Sequence, residues 1–283
     1  MKFITRTILL VLMISNAGIS SLNAFEFVTT RGIGMGNTIL ISQPSATTFL
    51  LLPSWAITTG EWIIELGGMR EFELSELDRA YVAVATRYKN YTIAIGASQL
   101  GQLDYYSERT GKISMSYHWY DYTFSANISG IQYHFGGNYA NQKAGTVGLG
   151  FSYSYGRMHF GIAADNINSP KLIETAPSFN SELSFFGELI GKSAFSLTAR
   201  VTIEKDEDIR LALGQKVDVS DRGTLFWGFN TKPFQIGGGV DIWYSPQGVA
   251  TYAGSYHPVL GLSHNVSLIY HFGRVVKPKN GFE

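Results

Sequence analysis

The sequence predicts an all-β protein, a transmembrane antiparallel β-barrel of about 14 strands with an N-terminal segment plugging the lumen. Three observations predict this fold. Apolar residues alternate with small or polar ones through most of the chain, charged residues make up only 16% of it, and an apolar leader precedes the alternation. The 14% of aromatic residues and the 31 glycines fit interfacial aromatic girdles and closely packed strands.

Residues 1–24 have the pattern of a secretory signal peptide. Lys2 and Arg6 precede an apolar run from Ile8 to Ile14 that is too short to cross a bilayer as a helix. Cleavage after Ala24 is preferred, and cleavage after Ala17 is the alternative. Export and one-sided apolar strands together predict a multi-pass barrel in the cell outer membrane, in contact with its lipid.

Charge and cysteine content exclude several classes of protein. Lys plus Arg and Asp plus Glu number 22 each, which gives no indication of a nucleic-acid partner. The chain has no cysteine, so it has neither a disulfide framework nor a cysteine for lipid attachment.

Residues 25–54 do not alternate like a strand. They contain Gly32, Gly34 and Gly36 and then the apolar run 49–52. A nucleotide-binding loop is excluded because such a loop needs an apolar strand before it and a helix after it, whereas a leader stands here. The apolar run needs cover, so we expect this segment to lie inside the barrel, with the glycines letting the chain pass close to the wall.

Residues 55–273 form the predicted barrel, and residues 274–283 a polar C-terminal tail. The longest alternation is Val259–Phe272, which places Leu262, Val266 and Leu268 on one face and smaller, more polar residues on the other. Strand centres are predicted near residues 64, 82, 95, 122, 132, 149, 162, 186, 199, 212, 227, 239, 252 and 266. Turns are predicted, among other places, at residues 109–112 and 218–223.

Charged residues on the polar faces are predicted to point into the lumen: Arg200, Glu204, Arg210, Lys216 and Asp241. They either serve a function or pair with one another to hold the wall. The six histidines lack metal-ligand spacing, and no nucleophile motif is present. We therefore expect no enzyme activity, no metal and no cofactor.

Three motifs are similar to those of FadL-like outer-membrane barrels. They are Arg31-Gly-x-Gly-Met-Gly36, Gln43-Pro-Ser-Ala46 and Leu52-Pro-Ser-Trp-Ala56, and they most resemble the PorV and PorQ branch associated with type IX secretion. This chain departs from the branch where Gln43 replaces an acid, Leu52 an asparagine and Ser54 an alanine. Residues 160–167 and 257–273 resemble the family's mid-barrel and closing strands.

The resemblance implies roles for particular residues. The family's N-terminal stretch is a plug inside the barrel, which here corresponds to Arg31, Gly32, Gly34, Met35, Gly36 and Pro53. The family's aromatic insertion signal corresponds to Tyr270 and Phe272.

Two functions remain open. The nearer branch implies a barrel that serves secretion or surface-protein assembly, with secreted or secretion-machinery proteins as partners. The wider family implies passive transport of small hydrophobic molecules, with Phe49, Leu50, Leu51 and Trp55 as ligand contacts. An apolar channel leading to a gap in the wall favours transport, whereas a packed lumen under large outer loops favours protein binding.

Overall fold

The computed structural model describes residues 27, 29–43, 45–52, 60–102, 106–136, 141–171, 179–191, 194–205 and 207–273. Its strands form one closed antiparallel barrel in which each strand pairs with its neighbours in sequence and β1 pairs with β14. The fourteen strands are β1 (Trp62–Arg70), β2 (Asp78–Tyr88), β3 (Tyr91–Gln102), β4 (Tyr106–Trp119), β5 (Tyr122–Phe135), β6 (Gln142–Tyr155), β7 (Met158–Asp165), β8 (Glu182–Ile190), β9 (Phe195–Glu204), β10 (Arg210–Ser220), β11 (Gly223–Thr231), β12 (Phe234–Trp243), β13 (Gly248–His257) and β14 (Gly261–Phe272). The predicted fold class and strand number are confirmed.

Two short helices precede the barrel, α1 (Thr30–Gly34) and α2 (Ala46–Leu51). Each begins at a side-chain cap, because the hydroxyl of Thr29 accepts from the Gly32 amide and that of Ser45 from the Thr48 amide. Two 3₁₀ turns lie between β1 and β2. No helix in the described part of the chain is long and apolar enough to cross a membrane.

One turn prediction and one strand centre were wrong, and a second turn prediction was too long. Residues 109–112 lie inside β4, and the predicted centre at 122 is the first residue of β5, just after the turn at Tyr120 and Asp121. Gly111 resembled a turn residue, but it pairs with Gly130 in an extended ladder. The predicted turn at 218–223 contains the turn at 221–222, but residues 218–220 still belong to β10, whose register shifts between Asp218 and Ser220.

The barrel has an apolar outside and a polar inside. In β14, Val266, Leu268 and Phe272 are about half exposed on the outer face, whereas Asn265 and His271 are buried on the inner face. The facing predicted for β14 is therefore confirmed. The other strands show the same alternation of exposed apolar and buried polar residues. This distribution is the reverse of a soluble protein's and suits a wall that contacts lipid.

The two ends of the barrel differ. At one end, turns such as 89–90, 120–121 and 156–157 are short, and aromatic side chains surround them; the rings of Tyr122 and Tyr153 lie 5.0 Å apart. At the other end several connections are longer, including 71–77 and 166–181, although 232–233 and 258–260 are short. We call these the short-turn end and the long-loop end. In outer-membrane barrels they face the periplasm and the cell surface respectively.

The apolar belt leads to a first prediction. Ile128 lies at the middle of β5, with its side chain 67% exposed on the outer face. We expect Ile128→Arg to lower the free energy of unfolding in lipid by about 2–4 kcal/mol, and Gln132→Arg, near the long-loop end of the same face, by about 0–1 kcal/mol. Denaturant titration of both variants in vesicles checks this, and equal losses would contradict the assigned depth.

Candidate functional site

The N-terminal segment contacts the inner faces of most strands of the barrel. Helix α1 packs against β11, β12, β13 and β14, and helix α2 against β1, β2, β3 and β4. Between the helices, Thr38 reaches β9 through a 2.7 Å hydrogen bond between its hydroxyl and that of Thr198. Residues 29–52 therefore contact opposite walls of the lumen.

Glycines in the wall make room for this segment. Five inward-facing glycines would each place an added Cβ closer than 3.0 Å to an atom of the segment: Gly96, Gly161, Gly214, Gly228 and Gly237. At Gly237 the three nearest atoms all belong to Ile33 and Gly34. The segment thus fits into spaces left by missing side chains on five different strands.

The predicted plug residues occupy distinct positions. Gly32 and Gly34 lie in α1, Met35 is fully buried, and Gly36 turns the chain with a φ of 68° against the backbone of Phe229. A side chain at Gly36 would be strained and would also clash with β11. Pro53 and Trp55 lie outside the described residues.

An ion pair joins the segment to β12. The Arg31 guanidinium donates from Nε to the Asp241 carboxylate at 2.7 Å, and the two side chains are only 12% and 2% exposed. The other carboxylate oxygen of Asp241 accepts from the Thr251 hydroxyl at 2.6 Å. Because both charges are largely removed from water, loss of either partner leaves the other uncompensated.

Two further carboxylates hold the segment, and sequence reasoning missed both. Glu188 of β8 accepts from the amide and hydroxyl of Ser42 at 2.8 and 2.5 Å. Glu65 of β1 accepts from the amide and hydroxyl of Thr47 at 3.1 and 2.7 Å. The available signal was the alternation itself, since both acids fall on the inward face of otherwise apolar strands.

The other predicted lumen charges lie in the wall. Glu182 of β8 accepts from Arg200 and from Arg210, each at 2.8 Å, and Arg210 also reaches Glu204 at 3.2 Å. Lys216 lies 3.2 Å from Asp218. This network links β8, β9 and β10, and it reaches the segment where Arg200 donates to the backbone oxygen of Asn37 at 3.2 Å. Its central acid, Glu182, was not singled out from the sequence.

The predicted ligand contacts lie in two apolar clusters. Phe49 and Leu50 are each 1% exposed and pack with inward residues of β1, β2, β3, β13 and β14: Ile63, Ala83, Ala85, Ala94, Val249 and Ile269. Leu52 packs with Ile39, Ile41 and Phe186, and Leu51 lies against both clusters. A barrel interior with apolar clusters differs from the polar, water-filled lumen of a porin.

Little space remains between the segment and the wall near α1. A cavity of about 10 Å³ lies between Arg31, Met35 and Glu65, which is about the room that one water needs. Within the described strands, every neighbouring pair forms a ladder, but the ladder between β6 and β7 covers only Leu149–Tyr155 of β6, and the register shifts in β10. The described residues contain no cluster of three or more histidine, aspartate or glutamate side chains able to bind a metal.

Tyr270 and Phe272 lie on the outer face of β14 at the short-turn end, with ring centroids 4.6 Å apart. Tyr270 also donates from its hydroxyl to the side-chain oxygen of Gln247 at 2.7 Å. Their role as an insertion signal stays a prediction.

Cysteine labelling can test whether the Arg31 ion pair anchors the segment. The chain has no native cysteine, and Met35 is fully buried, so Met35→Cys alone should resist a water-soluble thiol reagent. Adding Asp241→Asn should raise the labelling rate on the order of tenfold, because breaking a buried pair costs several kcal/mol. The control is Met35→Cys with Asp218→Asn, a substitution near the turn that follows β10. Equal labelling of the two double variants would show that the ion pair does not anchor the segment.

Comparison with solved structures supports the barrel fold. The Pseudomonas putida toluene transporter TodX matches with a TM-score of 0.63 at 9% identity, over 87% of this chain and 98% of TodX. The Ralstonia pickettii toluene transporter TbuX matches at 0.53 and 11% identity, over 87% and 98%. The fold is that of the toluene-transporter barrels. The Acinetobacter baumannii outer-membrane protein Omp33 is also similar, at 0.51 and 8% identity, over 76% of this chain and all of Omp33.

At these identities the likeness concerns the fold. It agrees with the FadL-like barrel expected from the motifs, whereas the narrower PorV and PorQ branch stays a prediction. No family model and no curated protein matches the sequence.

Proposed function

We propose that this protein is an outer-membrane passive transporter of small hydrophobic molecules, with the N-terminal segment as its plug. The observation that carries the proposal is the apolar packing inside the barrel, where Phe49, Leu50 and Leu52 lie against small inward residues. An apolar solute can replace such contacts when the segment moves, whereas a polar solute would find no partners there.

In this proposal the segment shifts during transport, because its apolar side chains are buried against the wall. The strands pair with one another and not with residues 29–52, so a shift breaks no strand ladder. It breaks a small set of polar contacts instead, chiefly those of Arg31, Thr38, Ser42 and Thr47. The wall keeps its own ion pairs around Glu182 throughout.

The proposal places residues 55–273 in the outer membrane after removal of a signal peptide at 1–24. The half-exposed apolar side chains of the outer face support lipid contact.

Secretion or surface assembly, the function favoured by the N-terminal motifs, is the weaker candidate. Large outer loops would support it, whereas several connections at the long-loop end are short, such as 232–233 and 258–260.

A reversible crosslink tests the proposal. The hydroxyls of Thr38 and Thr198 lie 2.7 Å apart, so Thr38→Cys with Thr198→Cys offers a disulfide between the segment and β9 in a chain without other cysteines. In a Gram-negative host lacking its own hydrophobic-solute channel, the protein should raise the initial uptake of radiolabelled toluene. The oxidised double variant should lose most of this uptake, and a reductant should restore it.

Each single-cysteine variant is a matched control and should transport normally under oxidising conditions. A radiolabelled disaccharide reports leakage and should enter no faster than in cells without the protein. Unchanged toluene uptake on expression would contradict the transporter function. Uptake that persists in the crosslinked protein would contradict a movable plug.

A further inference from the structure

The outer face of β2–β6 carries a groove near the long-loop end. Its volume is about 750 Å³, and its floor includes Val82, Ala97, Gly111 and Gly130. The ladder pairs Ala97 with Gly111, Gly111 with Gly130, and Gly130 with Gly145, so these small residues stand at one height on neighbouring strands. A Cβ added at Gly111 would meet no atom within 4 Å, which shows that the space above the floor is open.

Basic side chains border the groove on its long-loop side. One step closer to the long-loop end, the lipid-facing residues of β3–β6 are Gln99, Arg109, Gln132 and Lys143. Each of these residues pairs across the ladder with its neighbour on the adjacent strand. Arg109 donates to the Gln99 side chain at 3.3 Å. In the part of the chain that the structure describes, neither Arg109 nor Lys143 has a carboxylate partner.

Aliphatic side chains border the groove on its other side. Ile95, Ile113, Ile128 and Val147 form the outward row nearer the middle of the barrel, and all are between 42% and 67% exposed. From the middle outwards the wall is therefore aliphatic, then hollow, then cationic. A lipid presents the same order, with acyl chains, a glycerol or sugar linkage, and a phosphate.

We propose that this groove binds a phosphate-bearing lipid of the surrounding leaflet. The phosphate lies between Arg109 and Lys143, the amides of Gln99 and Gln132 donate to linkage oxygens, and an acyl chain fills the hollow over Gly111 and Gly130. Two cations that have no carboxylate partner among the described residues lie at the end of an apolar wall, where they attract an anionic headgroup and give it a fixed depth. This binding is independent of any solute transport through the lumen.

A second copy of the chain fits the groove less well. A two-fold contact through this face would bring Arg109 and Lys143 against the same residues of the partner, and like charges repel there. Free phosphate would use the cations but leave the apolar hollow uncovered, so it lacks half of the expected contacts.

Native mass spectrometry of the purified protein in detergent tests the proposal, with dioleoyl phosphatidic acid as the probe and dioleoylglycerol as its uncharged counterpart. We expect Arg109→Gln with Lys143→Gln to weaken phosphatidic acid binding by about fivefold per cation, and about twenty-five-fold together. Gly111→Leu with Gly130→Leu should weaken it comparably by filling the hollow, without any change of charge.

Matched controls sit elsewhere on the outer face. Gly187 of β8 also faces open space, so Gly187→Leu should leave binding unchanged, as should Arg157→Gln in the turn after β6. Retention of the heat-modifiable, folded form shows that each variant is assembled. Normal phosphatidic acid binding by both groove variants, equal loss in the controls, displacement by inorganic phosphate alone, or groove variants that only dissociate a dimer would each overturn the proposal.

Discussion

Deleting residues 29–52 is expected to turn a closed barrel into an open pore. The segment packs against the inner face of a barrel whose strands do not depend on it for pairing, so the shortened protein should still fold. Ion conductance in planar bilayers should then rise by on the order of tenfold or more over that of the intact protein. Arg31 is the single charged residue in the deleted stretch, and its loss frees Asp241.

The same deletion should make the pore prefer cations. Asp241, Glu65 and Glu188 lose the donors that Arg31, Thr47 and Ser42 provide, and they would face water inside the open lumen. Reversal potentials in a salt gradient measure this preference. Replacing residues 29–52 by a Gly/Ser sequence of equal length is the control for chain length, and it should conduct at least partly. An intact protein as conductive as the deletion variant would mean that the segment does not close the lumen.

The single substitution Gly237→Leu is expected to displace residues 29–52 from the wall of the barrel. All three atoms nearest to an added Cβ belong to Ile33 and Gly34, so the new side chain collides with the segment and not with the wall. Cysteine at Met35, buried in the parent protein, should then be labelled on the order of tenfold faster, because its cover is lost. Conductance should rise in parallel, towards that of the deletion variant.

Gly238→Leu provides the matched control for this experiment. Gly238 is the next residue on the same strand but faces outward, where the nearest atoms to an added Cβ lie at 3.6 and 3.9 Å, ordinary contact distances. Its variant should keep Met35→Cys protected and the lumen closed. If both leucine variants expose the cysteine equally, the effect comes from a weakened β12 and the segment's fit against Gly237 is not its cause.

The wall of the barrel could be predicted from the sequence because its cause is local. Each strand has one face in lipid and one in the lumen, so the period-2 alternation of Phe195–Glu204 or Val259–Phe272 directly records which way each side chain points. The alternation is misleading at residues 109–112, where an outward-facing glycine beside polar residues resembles a turn. The polar stretch belongs to the groove border, and alternation of hydrophobicity is weak there.

The inside of the barrel depends on contacts between residues distant in sequence. The alternation predicts that Asp241 points inward, but its pairing with Arg31 joins residues 210 positions apart and has no local signature. The glycines that accommodate the segment lie on five strands, and only barrel closure brings Gly96, Gly161 and Gly237 around one chain. Likewise, the ladder register sets Ala97, Gly111, Gly130 and Gly145 at one height.

The sequence by itself therefore determined the barrel, its strand number and the facing of most side chains. Successive residues of a strand face lipid and lumen in turn, so the polarity of each residue indicates its side of the wall. The tertiary structure decided which inward charges meet which part of the N-terminal segment, and where the outer wall is hollow. These depend on strand register and closure, and a shift of one strand by two residues would preserve the alternation while changing every one of those contacts.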